Sequence, residues 1–132
     1  MELTVSTRKR EDIIDITSEV DGLIAESGTK EGICNIYVPH ATAAITVNEN
    51  ADPNVGQDIL DFLKKNVPEG IWKHDRIDGN ADSHIKSSII GPSETVPIKE
   101  GKLALGKWQD LFLCDFDGPR KRKIIITIIP KK

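Results

Sequence analysis

Residues 31–49 read EGICNIYVPHATAAITVNE, two apolar runs that meet at Pro39 and His40. Each run has strand length and is rich in β-branched and small apolar side chains, so the stretch predicts two buried strands joined at a corner and lying centrally in a sheet. Upstream, ELTVST (2–7) alternates apolar and polar residues as a first strand, and EDIIDIT (11–17) forms a second after the turn RKRED (8–12). SEVDGLIAESG (18–28) then has Ser18 to cap a helix, Val20, Leu23 and Ile24 at helical spacing, and Gly28 to stop it.

Downstream, ADPNVGQDILDFLKKNVPEG (51–70) is the clearest helix. Asp52 or Asn54 is its cap, Val55, Ile59, Phe62 and Leu63 share one face, and Pro68 lies beyond its end. NADSHIKSSIIG (80–91) predicts a short helix capped by Asn80 and closed by Gly91. TVPIKEGKLAL (95–105) reads as a hairpin turning at 99–102, where Gly101 supplies positive φ. WQDLFLCDF, the turn DGPRKR and KIIITII complete what reads as an antiparallel meander. Strands at both ends with two or three helices between them predict an α+β domain with an antiparallel, sandwich-like core. No repeat or linker divides the chain, so a single domain over 1–132 is expected.

The chain has 38% hydrophobic residues, enough for one core, and a net charge of -3. That charge, with a pI near 5.6, excludes a general nucleic-acid-binding surface. No apolar run approaches a membrane span, and charges within the first ten residues leave no room for a secretory h-region, so a cytoplasmic protein is expected. Small molecules or other protomers are the expected partners. Isoleucine far outnumbers leucine, which favours strands. Cys34 and Cys114 fall inside apolar runs and read as buried hydrophobes.

Chemistry concentrates in HDRIDGNADSHIKSS (74–88), which holds His74 and His84; the third histidine is His40. Three imidazoles with an open fourth position suit a catalytic zinc or another late first-row ion, but no compact ligand motif such as H-x-x-x-H is present. Solvated loop histidines are the alternative. Glu49, ending an apolar run, fits a general base or an orienter of the histidines, or else a charge at the N-terminus of the 51–70 helix. Asp75, Asp78 and Asp82 offer oxygen ligands for Mg²⁺, or turn chemistry. Ser87, Ser88 and Ser93 flank Gly91, an arrangement that offers hydroxyls and backbone N–H groups to an anion but lacks the lysine of a P-loop. Arg120 to Lys123 form either a phosphate clamp or a solvated hairpin tip. Trp108 reads as packing or as a ligand-stacking surface beside Gln109.

Several segments in order, HATAAITVNENAD (40–52), DILDFL (58–63), NVPEG (66–70), NADSHIKSSIIGPS (80–93), VPIKEGKLALGKWQ (96–109) and DFDGPRKRKI (115–124), resemble the YjbQ family, most specifically in SSIIGPS and GKWQ. The resemblance runs from about residue 30 to the C-terminus; Lys107, where the family commonly has Thr, is a small departure. It implies a jelly-roll-like β-sandwich protomer assembled as a homotrimer. It implies metal ligation by His40, His74 and His84, places Glu49 near that metal through the match to Asn48–Asn50, and matches Arg120 and Arg122; Glu49 and Asn48 are then the expected catalytic residues, and Asn80, Asp82, Ser87, Ser88, Trp108 and Gln109, with the two arginines, the expected substrate contacts. The activity implied is that of a secondary thiamine-phosphate synthase. It condenses a hydroxymethylpyrimidine pyrophosphate with a thiazole phosphate and uses a divalent metal, zinc or another transition ion at the histidines, with Mg²⁺ for the phosphates. A metal-dependent hydrolase of a small phosphorylated or acyl metabolite, and a non-enzymatic trimeric binding protein, are the alternatives.

Overall fold

The corner at Pro39 separates β3 (Gly32–Tyr37) from β4 (Ala43–Glu49), and the two strands enter different sheets. The structure, a computed structural model, describes every residue from Met1 to Lys132. β1 (Glu2–Ser6), β3, β5 (Ser93–Lys99), β6 (Lys102–Leu103) and β8 (Lys121–Pro130) make one antiparallel sheet in the order β1-β8-β3-β5-β6. β2 (Asp12–Asp15), β7 (Gln109–Asp115) and β4 make a second in the order β2-β7-β4. The expected α+β sandwich is present. β3 is central as expected, whereas β4 is an edge strand of the smaller sheet.

The expected C-terminal meander is absent. The hairpin β5–β6 stays in the larger sheet, β7 crosses to the middle of the smaller one, and β8 returns between β1 and β3. The reason lies in β7. Leu111 and Leu113 point into the core between the sheets, while Cys114 packs the other way with Ala44, Leu63 and Phe116. A strand apolar on both faces needs a layer on each side, and the smaller sheet, with the core on one face and the helices Pro53–Asn66 and Ala81–Ile90 on the other, provides both. β8 instead alternates Arg122, Ile124 and Ile126 inward with Lys121, Lys123 and Thr127 outward, so one buried face suffices.

Three helices complete the layers. α1 (Thr17–Ser27) sends Val20 and Ile24 into the inter-sheet core and ends at Gly28 with φ +72°. It starts one residue before Ser18, the expected cap, and the Thr17 hydroxyl is taken up by the Leu111 amide at 2.8 Å. α2 (Pro53–Asn66) begins as expected, Asp52 accepting from the Asn54 amide at 2.9 Å with Pro53 in the first turn. Leu63 is its buried anchor, whereas Phe62, expected on the same face, is 65% exposed. α3 (Ala81–Ile90) lies against β4, the Gly91 carbonyl accepting from Ile45. At the β5–β6 turn Glu100 and Gly101 both have positive φ, the condition for a type I′ hairpin.

Candidate functional site

Three segments converge at one end of the sandwich: the β3–β4 corner, the β7–β8 turn and the start of α3. β3 turns away from β8 beyond Tyr37, leaving the Lys123 amide without a strand partner on that side. The His40 imidazole takes its place, Nε2 accepting from Lys123 N at 2.9 Å. A neutral imidazole has one lone pair, so the proton sits on Nδ1 in this arrangement. Burial, followed by the positive charge of Arg122, holds the His40 pKa below its ordinary value. The neutral form that makes this bond is the favoured one.

Arg122 enters the interior from β8 and is only 3% exposed; its Nη2 donates to Asp115 Oδ1 at 2.6 Å and to Thr42 Oγ1 at 2.8 Å, while its buried Nε has no partner. Thr7 Oγ1 donates to the other Asp115 oxygen at 2.7 Å. Burial alone would raise the Asp115 pKa, but the bonds from Arg122 and Thr7 overcome it and hold the carboxyl below its ordinary value. Arg120, by contrast, is exposed and folds back on Asp117, whose Oδ2 also accepts from Asn80 Nδ2. Asn80 therefore occupies the cap position of α3 without capping it by a side-chain bond.

His84, on α3, meets His74, on the 3-10 turn Lys73–Arg76. Their ring centroids are 4.8 Å apart and the planes nearly perpendicular at 88°. Asp75 sets this approach, one carboxylate oxygen accepting from the Trp72 amide and the other from the Ala81 amide, both at 3.0 Å. It thus ties the turn to the helix. Asp78 lies 3.5 Å from His74 Nε2. Neither Asp75 nor Asp82 is free to ligate an ion: Asp82 is fully buried between Arg10 and Lys86. Burial would raise its pKa, yet those two cations hold it below the ordinary value.

The serines of the helix serve the fold. Ser87 Oγ donates to the Ala41 carbonyl at 2.5 Å, and Ser88 Oγ donates to the His84 carbonyl at 2.9 Å. Ser83, which sequence reasoning did not single out, donates to the Phe116 carbonyl and joins α3 to β7. Lys86 was also missed. A lysine in a short polar helix has no sequence mark of burial, although Asp82 four residues before it is the one available hint. Burial raises the Cys34 thiol to about 11 and the Cys114 thiol to about 12, so both stay protonated hydrophobes, as their apolar runs predict.

The remaining expected site residues lie elsewhere. Glu49 pairs across the ladder with Gln109 at the far end of β4 and β7. Six strand steps separate Ala43 from Glu49, about 20 Å at the usual rise per residue. Glu49 lines a cleft of about 260 Å³ together with Asp12, Asp15, Asn50 and Gln57. Asn48 Oδ1 accepts from the Glu49 amide, Gln109 Oε1 accepts from the Gly106 amide, and Trp108 is 57% exposed beneath Lys107. The structure thus brings His74 and His84 together, with His40, Asn80, Ser87, Arg120 and Arg122 on the same three segments. It puts Asn48, Glu49, Trp108 and Gln109 at the opposite end.

No three His, Cys, Asp or Glu side chains form a set able to hold an ion in this conformation. The donor chemistry of His74 and His84 suits a borderline divalent ion, and His40 could join them only by releasing the Lys123 amide, which occupies its Nε2 lone pair.

This arrangement has close relatives. The family described as UPF0047 protein YjbQ-like matches residues 1–131. The chain belongs to the YjbQ family. The UPF0047 protein MJ1081 of Methanocaldococcus jannaschii is 50% identical, with 97% of this chain and 92% of that protein covered. The YjbQ-family protein YugU of Bacillus subtilis is 43% identical with 96% of each covered. Among solved structures, a YjbQ/UPF0047 protein of Clostridium acetobutylicum superposes with a TM-score of 0.93 at 45% identity over 98% of this chain and 99% of that one. A protein of unknown function from Sulfolobus solfataricus gives 0.94 at 40% identity over 99% and 96%. The YjbQ fold is therefore established for this chain, and the relatives named carry no activity in their descriptions.

Proposed function

We propose that this YjbQ protein is a metal-binding enzyme of thiamine-phosphate synthase type, working as a homotrimer on phosphorylated substrates. It would condense a hydroxymethylpyrimidine pyrophosphate with a thiazole phosphate, giving thiamine phosphate and pyrophosphate. The observation that carries the reading is the His74–His84 pair, 4.8 Å apart, on the same end of the sandwich as the cationic turn Arg120–Lys123. Imidazoles in contact attract a transition ion, and guanidinium groups attract phosphate.

His74 and His84 would hold zinc or a similar ion, with His40 as the expected third ligand once its ring leaves the Lys123 amide. Bound there, or as Mg²⁺ on the substrate, a divalent ion would neutralise charge on the departing pyrophosphate. Arg120 and Lys121 would orient the phosphates from the rim. Arg122, held by Asp115 and Thr42, would supply a fixed positive field from behind. Glu49 and Trp108, at the far end of β4 and β7, would take part only through a neighbouring protomer.

One observation favours a second reading, a metal-dependent hydrolase: Asp78 stands 3.5 Å from His74 Nε2, a carboxylate placed to orient a ligating imidazole. A direct assay separates the two readings. The purified protein is offered the pyrimidine pyrophosphate with the thiazole phosphate, and in parallel generic phosphoesters, with zinc or Mg²⁺. Thiamine phosphate and pyrophosphate in equal amounts are expected; phosphoester turnover without condensation would replace the synthase by the hydrolase. Elemental analysis of His84→Ala should show less bound metal than the parent protein, and equal content would remove the metal site.

A further inference from the structure

The proposed reaction makes no use of the ionic chain buried beneath α3. Lys86 has no exposed surface, a rare position for lysine, and its Nζ lies 2.9 Å from Asp82 Oδ2 and 3.1 Å from Glu11 Oε2. Asp82, equally buried, also receives Arg10 Nη2 at 3.0 Å, and Arg10 Nη1 reaches Glu69 at 3.0 Å. Charges alternate along Glu69, Arg10, Asp82, Lys86 and Glu11. The chain fastens the loop before β2 and the segment after α2 to one side of α3.

We infer that Asp82 and Lys86 are positioning residues that turn α3 so that His84 meets His74; the metal-binding consequence rests on the site proposed above. Each helical residue advances about 100°, so Asp82 and Lys86 stand about 40° apart on one face. His84, two residues from each, points about 180° away from their midpoint. Pulling that face onto Arg10 and Glu11 therefore aims the opposite face, and His84 with it, at the 3-10 turn. Ser83 and Ser87 brace the flank between through neutral bonds to the Phe116 and Ala41 carbonyls. Charge-assisted bonds are stronger than neutral ones, so the ionic face dominates the setting of the helix.

The placement of these charges argues for orientation over stability. Apolar side chains of similar volume often stabilise a core as well as a buried ion pair does, whereas a pair bonded at both ends fixes one arrangement of its elements. Here that arrangement includes the edge-to-face histidines. The same loop reaches the cationic turn, since the Arg10 carbonyl accepts from Gly118 and Thr7 holds Asp115. Gly118 has no space for a side chain there, because an added Cβ would collide with the Lys9 carbonyl.

Proton NMR of the histidine rings tests the inference independently of activity. The parent protein should show a nuclear Overhauser contact between His74 and His84, with ring-proton shifts displaced by the edge-to-face geometry. Lys86→Met should lose that contact and Arg10→Gln should weaken it, with native circular dichroism. Zinc affinity, read by chelator competition, should fall about tenfold, the lower end of the usual effect of groups that orient metal ligands. Lys86→Arg, which keeps the charge, should recover the contact. If Lys86→Met does not fold, Arg10→Gln decides, because the Arg10 side chain is 33% exposed and its loss leaves the Asp82–Lys86 pair intact. A folded variant with the parent's histidine contact unchanged overturns the inference, as does its absence from the parent protein. A parent protein with the contact that takes up no zinc removes the metal site, and the NMR comparison then supports or overturns the positioning role by itself.

Discussion

At the scale of single residues, this end of the molecule is governed by groups whose charge state is fixed by a partner. His40 accepts from the Lys123 amide and must be neutral to do so. Its folded pKa lies below its ordinary value, through burial and then Arg122. The unfolded chain therefore binds the proton more readily. Stability from this group is fully present above about pH 6.5, the ordinary histidine pKa, and is lost as pH falls from there toward the depressed folded value. The thermal stability of the parent protein should fall as pH drops below about 6.5, the ordinary histidine pKa, and His40→Gln, whose amide oxygen can accept the same bond, should flatten that slope. An unchanged slope would assign the dependence to another group. Arg122 acts in the other direction, since removing it strands the buried Asp115 carboxylate. Arg122→Met should destabilise by about 3–5 kcal/mol in urea unfolding, the usual cost of breaking a buried pair from one side. The sequence showed which residue types stand here, but not which were spoken for. Arg120 and Arg122 are two positions apart in one cationic run, yet Arg120 lies in the turn before β8 and reaches solvent, whereas Arg122 lies on the inward face of the strand.

At the scale of elements, local chemistry was the most legible part of the chain. Asp52 with Pro53, Gly28, and the Lys99–Lys102 turn each act through their own backbone, and each stands where its residues predict. Gly101 has φ +77°, a conformation that any side chain strains. Gly101→Ala should cost about 1–2 kcal/mol in denaturant unfolding with an unchanged m-value. Asp52→Ala should cost about 1 kcal/mol by the same measurement, the ordinary loss of an N-cap. Where elements are chosen by tertiary neighbours, local reading fails. Thr17 begins α1 ahead of Ser18 because its hydroxyl is taken by the Leu111 amide, and Phe62 misses the core although its spacing points inward. Periodicity reports a face; it does not report how far the opposing layer extends.

At the scale of the whole molecule, the sandwich class followed from strand patterning, but the path of the chain between sheets did not. β7 and β8 are neighbours in sequence with apolar runs of similar length, and only the two-sided packing of β7 assigns it to the covered sheet. The same limit applies to the candidate site. A motif read along the chain joins Glu49 to the histidines, because HATAAITVNENAD is continuous; a strand, however, carries its ends apart. Within one protomer Glu49 closes β4 about 20 Å along the strand from Ala43, and no hydrogen bond or ion pair links its carboxylate to His74 or His84. Glu49→Gln should consequently leave the metal content of the purified protein at the parent level, under conditions where His84→Ala lowers it, as measured by elemental analysis on the same preparations. Metal lost from Glu49→Gln would mean that the carboxylate reaches the histidines from a neighbouring copy. Mixing the two variants should then restore part of the metal, since one site in the mixed assembly would combine an intact His84 with an intact Glu49.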